Sequence, residues 1–523
     1  MVPENSALKA ALNRIIETLE PVPFESFGSR RKFEAYLADW PEYVKNNSPN
    51  QKSVPAAQKG ENSTQDEGIE EEAGFDSDEN ATENRQSISE KRQRVAASEI
   101  IRATANALDH DIMFMAGNKF LFVNTHWVKV PDNKFKQFLR DCSIAMAVDR
   151  LLAPDVNFID GVSKQIDMLT EVEAQGYARN LMNFLNGTLF FTDDGKTTFK
   201  PHQKTDHIRY VLNYEYDPGA KCPRWEQFLD EVIPEEGKQE NLAEFLGSCF
   251  SQVKHEKIML LYGTGANGKS VVLEVTTQLF GENNLSHNTL EEITNSNGYF
   301  RGNLMDSILN YAGDISDKVN PDGLKILASR EPMNGRYVWG RPFEVKDYCR
   351  SAFNCNQLPE AKDTSDGFFR RFLIIPFEKT IPEERRNPNL PVEICKDDLP
   401  GIMNCVVEGL QRLLKNEGRF TYCPASEQIL KQYREEADSV KFFVQHMPKK
   451  KIDGMLSSEL MSLYRSFCQE HELVPVSVKQ FSKDLIKNGM QKTRKSSGVI
   501  YRFPNAGTSK TKPASADSKY GDM

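Results

Sequence analysis

The stretch KIMLLYGTGANGKSVVLEVTTQLF, residues 257–280, decides the fold. Its opening KIMLLY is a short apolar run ending at Tyr262 and reads as a buried strand. The next eight residues, GTGANGKS (263–270), satisfy the G-x-x-x-x-G-K-[ST] pattern, and SVVLEVTTQLF continues as a helix. Strand, glycine loop and helix in that order specify an α/β unit that cradles phosphate. Gly263, Gly265 and Gly268 let the backbone curl with its N–H groups inward, and Thr264, Ala266 and Asn267 complete the loop. The helix start adds the positive end of its dipole. Lys269 is placed to reach the β and γ phosphates of ATP. Ser270 is placed to offer its hydroxyl to Mg²⁺, with water, phosphate oxygens and an acid completing the shell.

Such a site needs an acid at the end of a neighbouring strand, and SILNYAGDIS supplies one. The apolar run 308–312 ends at Gly313 and Asp314, which makes Asp314 the expected Mg²⁺ ligand or water-polarising group. Asp306 and Asp317 are nearby alternatives. CRSAFNCNQLP is a further strand-like run with Asn356 at its end, where a side-chain amide can orient the attacking water. After KDTSDG comes FFRRFLIIPF, and Arg370 and Arg371 there suit stabilisation of transition-state charge in a neighbouring subunit.

Working outward, 523 residues allow roughly three or four folded units. The expected segments are short N-terminal helices (1–45), an acidic linker (46–95), an α+β accessory domain (100–235), the ATPase domain (236–390), a helical connector (391–450), a C-terminal domain (451–505) and a polar tail (506–523). Within the accessory domain, a helix is expected over 171–185, and TLFF, TDDGK and TTFK read as a hairpin. The net charge of −9 is unevenly spread, because residues 61–90 hold eleven acids against Arg85. Outside that stretch the chain is near +1, so basic surfaces facing nucleic acid remain open to it.

No run approaches bilayer length and the N-terminus carries no signal-like block, so a cytoplasmic protein with no membrane role is expected. The nine cysteines are scattered and never form C-x-x-C, which argues against disulfides and zinc. The segment 455–503 reads as two helices and a hairpin, a winged-helix-like order. From Val476 to Phe503 it carries seven bases, among them Lys479, Lys483, Lys487 and Arg494, against Asp484.

Taken together, GTGANGKS, ILNYAGDISDK, LKILASREPMNGRYVWGRPFEV and FNCNQLPEAKDTSDGFFRRFLIIPF closely resemble superfamily 3 helicases of the poxvirus-type and phage/plasmid primase-helicase group. NFLNGTLFF and HIRYVLNYEYDPGAKCPRWEQFLDEV resemble the accessory domain that precedes the motor in that group. The resemblance implies an AAA+-like, usually hexameric ATPase that draws single-stranded DNA through its ring at a fork. It also implies roles for Lys269 and Ser270 in nucleotide and metal binding, Asp314 as the acid, Asn356 as sensor and Arg370 or Arg371 as finger. Where relatives generally place Glu, this chain has Gly313 and then the shorter Asp314. The group's pore hairpin falls on ASREPMNGRYVWGRP, where Arg330, Arg336 and Arg341 alternate with Tyr337 and Trp339, with Lys325 on the helix before it. Bases stack on aromatic faces while arginines follow phosphate.

About 45 residues before the acidic linker are too few for a primase, so a separate primase, polymerase or single-strand-binding protein is an expected partner. The main competing reading is a DNA-bound initiator or scaffold that binds ATP and hydrolyses little. A P-loop kinase would need a lid and an acceptor pocket that the sequence does not show.

Overall fold

The computed structural model describes residues 2–24, 27, 30–47, 79–173, 180–313, 315, 319–336, 342–359, 365–471, 473, 475–496 and 498–504. Most of the acidic linker, the polar tail, Asp314, Asp317, Tyr337, Trp339 and Arg341 lie outside these described residues.

Helices α1 (Val2–Thr18), α2 (Arg30–Asn47) and α3 (Glu79–Ala107) lead into β1 (Ile112–Met115), β2 (Asn118–Phe122) and β3 (Trp127–Val130). Then come α4 (Asp132–Ala145), α5 (Val156–Thr170) and the short β4 (Glu171–Val172). The linker expected to run to residue 95 therefore gives way to helix at Glu79. Residues 79–94 include three Glu, three Arg and two Gln, which are good helix formers, and Glu90 pairs with Arg94 one turn on. Beyond that the helix buries Ala97, Ile100, Ile101 and Ala105 in one core with Leu8, Ile15, Trp40, Phe138 and Phe158. The Trp40 indole donates to Thr104 Oγ1 at 2.8 Å, tying α2 to α3.

Next are β5 (Leu181–Phe184), β6 (Gly187–Phe191) and β7 (Thr197–Lys200), an antiparallel sheet in the order β5-β6-β7. The expected TLFF/TTFK hairpin is present. The helix expected over 171–185 is not: β4 opens that stretch and β5 closes it. LMNF is buried at every position, so periodicity cannot separate strand from helix there. The turn is Leu185-Asn186, and Gly187 opens β6 opposite Phe184 with φ +153. Asn183 makes β5 a polar anchor, donating to Thr125 O and Tyr210 O while accepting from Thr188 Oγ1.

Helices α6 (Pro223–Val232) and α7 (Glu236–Ser248) precede the central α/β unit. In it follow β8 (Ile258–Tyr262), α8 (Lys269–Phe280), β9 (Leu285–Ser286), α9 (Leu290–Thr294), β10 (Leu309–Ala312), α10 (Pro321–Ser329), β11 (Met333–Arg336), β12 (Pro342–Val345), β13 (Arg350–Cys355), α11 (Asp366–Phe369) and β14 (Phe372–Pro376). The sheet order is β14-β8-β13-β10-β9 and every pairing is parallel. A parallel sheet is covered on both faces, which is why its strands read as unbroken apolar runs. Alternate residues of β8 enter opposite cores: Met259 and Leu261 pack with the α6, α7 and α13 side, Ile258 and Leu260 with the α10 side.

The chain ends with α12 (Leu390–Asp397), α13 (Leu399–Lys415), α14 (Pro424–Ala437), α15 (Ser439–His446), α16 (Lys449–Ile452), α17 (Ser457–Glu470), α18 (Val478–Lys487) and the hairpin of β15 (Gln491–Lys495) and β16 (Gly498–Arg502). Helices α7 and α13 pack closely because glycines meet backbone: a Cβ on Gly409 would lie 2.5 Å from Ala243 C, and one on Gly247 would lie 2.7 Å from Val406 O. The fully buried Glu244 seals that contact, accepting from Arg412 Nε at 2.7 Å and from Thr421. Residues 440–501 form a separate core around Phe443, Tyr464 and Phe481. No helix among the described residues is long and apolar enough to cross a membrane.

Candidate active site

The parallel strands turn their C-terminal ends to one edge of the sheet, and the glycine loop leaves that edge from β8. Gly265, Ala266 and Gly268 all take positive φ, +113°, +50° and +92°, a left-handed run that makes the tight curl. Gly263 is required for a different reason. A Cβ there would meet Asn267 Nδ2 at 2.2 Å and Phe377 O at 2.4 Å. The loop is held from outside by Asn267 Nδ2 donating to Phe377 O at 3.1 Å, Ile381 N donating to Ala266 O at 2.8 Å and Gly263 N donating to Cys355 O at 3.1 Å.

Lys269 begins α8 and is 6% exposed. Its Nζ donates to Gly263 O at 2.6 Å and to Asn267 Oδ1 at 3.0 Å, so the ammonium folds back on the loop. Burial holds its pKa below the usual lysine value, and it has no carboxylate within ion-pair distance among the described residues. Beside it opens a cleft of 450 Å³ lined by residues 265–271, Gly313 at the end of β10, and Asn354, Cys355 and Asn356 at the end of β13. Ser270 is exposed at this surface, and Asn354 accepts from the Tyr311 hydroxyl at 2.9 Å. The sheet therefore brings Lys269, Ser270, Gly313 and Asn356 to one place.

Other expected residues lie elsewhere. Asp306 is excluded as the acid, because it precedes β10 at the opposite end of that strand and pairs with Arg209 at 3.2 Å and Lys129 at 3.8 Å. Arg370 and Arg371 precede β14, whose Phe372 pairs with Ile258 at the start of β8, so they too sit at the edge away from the cleft. There Arg370 pairs with Glu256 at 2.8 Å, and Arg371, 8% exposed, donates to Gly367 O and Ser329 Oγ. The hairpin β11/β12 is formed, with Arg336 opposite Pro342; Arg336 lies 4.7 Å over the Tyr299 ring and donates to its hydroxyl. Lys325 on α10 lies 3.7 Å from Asp322, and the half-buried Arg330 caps α10 at φ +54°. Lys479, Lys483 and Lys487 are exposed at four-residue spacing on α18, and Arg494 is exposed on β15.

The sequence reading missed the far wall of the cleft. Phe228 and Glu231 of α6 line it, together with Ile381, Arg385, Arg386, Asn387 and Leu390. Arg385 bridges to Glu231 at 2.7 Å, joining two segments more than 150 residues apart. PEERRNPN carries no spacing that would have pointed there.

Residues 100–234 match the family described as D5 N terminal like, and residues 261–371 match a family of unknown function (DUF5906). The chain is 25% identical over 265 residues to "Putative helicase L207/L206" of Acanthamoeba polyphaga mimivirus, covering 47% of this chain and 27% of that one. It is 23% identical over 235 residues to "Putative helicase 121R" of Invertebrate iridescent virus 3, covering 41% and 24%. Over these regions the chain is D5-like and similar to viral proteins named putative helicases. This D5-like chain spans about a quarter of the length of those curated relatives. Among solved structures it is similar to the NrS-1 C terminal region, with a TM-score of 0.46 and 10% identity over 77% of this chain and 98% of that one.

Proposed function

We propose that this chain is an ATP-hydrolysing motor that moves along DNA and separates strands during replication of a virus or related mobile element, working as a homo-hexamer. The observation that carries the reading is the Lys269 ammonium, buried in a left-handed glycine loop where parallel strand ends converge, with only neutral oxygens for partners among the described residues. A polyphosphate entering the cleft would take over those bonds and bring negative charge to the ammonium.

The donor set fits Mg²⁺: an exposed Ser270 hydroxyl beside the cleft, with Asp314 directly after Gly313 in sequence. Bound there, the ion would neutralise charge on the β and γ oxygens. The protein's own part is to hold and orient. The loop N–H groups and Lys269 bind the phosphates, Asn356 orients the attacking water, and Asp314 accepts its proton. Arg370 and Arg371, at the far edge, serve the neighbouring subunit's cleft, a head-to-tail contact that closes into a ring. The β11/β12 hairpin with Lys325, Arg330, Arg336, Tyr337, Trp339 and Arg341 takes single-stranded DNA. The helices and hairpin of residues 451–505, as a winged-helix-like unit, take duplex at the fork through Lys479, Lys483, Lys487 and Arg494.

DNA-stimulated ATP hydrolysis and forked-duplex unwinding test this together, comparing wild type with Lys269→Ala, Asp314→Asn and Arg371→Ala. A motor loses at least tenfold in each variant, roughly 1.4 kcal/mol of barrier. Wild type that binds ATP and DNA yet neither hydrolyses nor unwinds would instead be an initiator scaffold, the reading that the shorter Asp314 keeps open.

A further inference from the structure

Away from the cleft, the fold gathers two thiols and a carboxylate that sequence spacing keeps apart. Cys222 is the N-cap residue of α6 and Glu226 lies one turn further, on the same side of the helix. Cys405 comes from the middle of α13. The two Sγ atoms are 3.5 Å apart, and Cys222 Sγ lies 3.9 Å from Glu226 Oε1. The three ligand atoms all fall within 4.8 Å of one another, and no other cluster of three such residues occurs among the described residues.

The two measured separations come close to those of a tetrahedral shell. Two sulfurs each ~2.3 Å from zinc stand ~3.8 Å apart, and a sulfur and an oxygen ~2.0 Å from the same ion stand ~3.5 Å apart. Small side-chain rotations cover the differences. A disulfide needs the sulfurs at ~2.0 Å and gives a neighbouring carboxylate no task. The cluster also runs from interior to surface: Cys222 is 1% exposed, Cys405 half-buried and Glu226 exposed, which leaves an entry path and an open side. Glu226 accepts from the Cys222 thiol and from nothing else among the described residues. The Cys222 thiol is pushed up chiefly by its hydrogen bond to Cys405, and the same bond pulls Cys405 down.

We propose that Cys222, Cys405 and Glu226 form a binding site for a thiophilic divalent cation of the zinc class, its fourth position taken by water or by Glu408 one turn along α13. Binding releases the thiol protons to solvent, with no redox change, and sets two thiolates and a carboxylate against the ion. It pins α6 to α13. Because α6 also carries Phe228 and Glu231, an occupied site stiffens one wall of the cleft.

The test is a titration of the full chain, reduced and freed of metal by chelator, with Co²⁺ as a coloured stand-in for zinc. The expected result is sulfur-to-cobalt charge-transfer absorption that saturates at one equivalent and is bleached by Zn²⁺. It disappears in Cys222→Ser and in Cys405→Ser. Glu226→Gln, at an exposed position, retains the sulfur bands and binds at least tenfold more weakly; it keeps the test decisive if the serine variants do not fold by circular dichroism. No charge-transfer band in reduced wild type overturns the proposal. So does an undiminished band in a folded Cys405→Ser variant, unchanged affinity in Glu226→Gln, or a pair that forms a disulfide in air and takes up no metal when reduced.

Discussion

Replacing Lys269 by Met separates a structural lysine from a phosphate-binding one. In the free protein its ammonium makes two hydrogen bonds to neutral oxygens, at 2.6 and 3.0 Å, while nearly buried. Bonds of this charged kind contribute about 1.5–3 kcal/mol each, and burying an ammonium that has no carboxylate partner among the described residues costs several kcal/mol, so the two offset. Lys269→Met should therefore change the stability of the free protein by no more than about 2 kcal/mol. Bound nucleotide is another matter. At one hundred times its Kd, an imido-linked ATP analogue stabilises wild type by about 2.7 kcal/mol. For a unit of this size that is a rise of about 5–11 °C in melting temperature. If the variant binds a hundredfold more weakly, the same ligand concentration gives only about 0.4 kcal/mol, or about 1–2 °C. Scanning fluorimetry with and without analogue reads both quantities. An undiminished shift in the variant would mean that Lys269 does not touch phosphate. A loss of about 3–5 kcal/mol in the free protein, as when one member of a buried ion pair is removed, would make it a structural residue.

Other predictions follow from the same structure. His255 is buried, with neither ring nitrogen hydrogen-bonded among the described residues; burial, with the cations Arg350, Arg330 and Lys257 adding to it, holds its pKa well below 6.5. Its unfolded form therefore takes up a proton first. Stability is full above pH 6.5 and falls by up to ~1.4 kcal/mol per pH unit below it. His255→Phe, between Phe245 and Phe420, should flatten that slope in urea titrations from pH 7 to 5, whereas parallel slopes would contradict it. Arg370→Ala removes an exposed ion pair worth about 0–1 kcal/mol, so melting and nucleotide affinity should hold. Hydrolysis by the assembled protein should drop at least tenfold in Arg370→Ala or in Arg371→Lys, and full activity in both would remove the finger from this pair. Changing Lys479, Lys483 and Lys487 to Gln should lower the slope of log affinity against log salt for duplex DNA by about 2–3, and an unchanged slope would take α18 off the DNA.

What could be read from the sequence was whatever a short contiguous segment decides through its own backbone. The glycine loop is such a segment, since its residues meet each other and the helix that follows. Hairpins set by two or three turn residues are another, and the TLFF/TTFK pair formed as expected. Where local signals tie, contiguity is not enough: LMNF is buried on both sides and reads as helix or strand alike, and the polar run after Glu79 joins a helix because its later turns find a core. Tertiary structure alone decided which distant residues meet. Parallel pairing placed Asn356 at the Lys269 edge and sent Asp306, Arg370 and Arg371 to the other. Glycine-to-backbone packing of α7 on α13 belongs to the interior that seats α6 against the same helix, bringing Glu231 to Arg385 and Cys222 to Cys405, 183 residues away in the chain. No spacing rule carries such contacts, because they depend on how whole helices fill the space above a sheet.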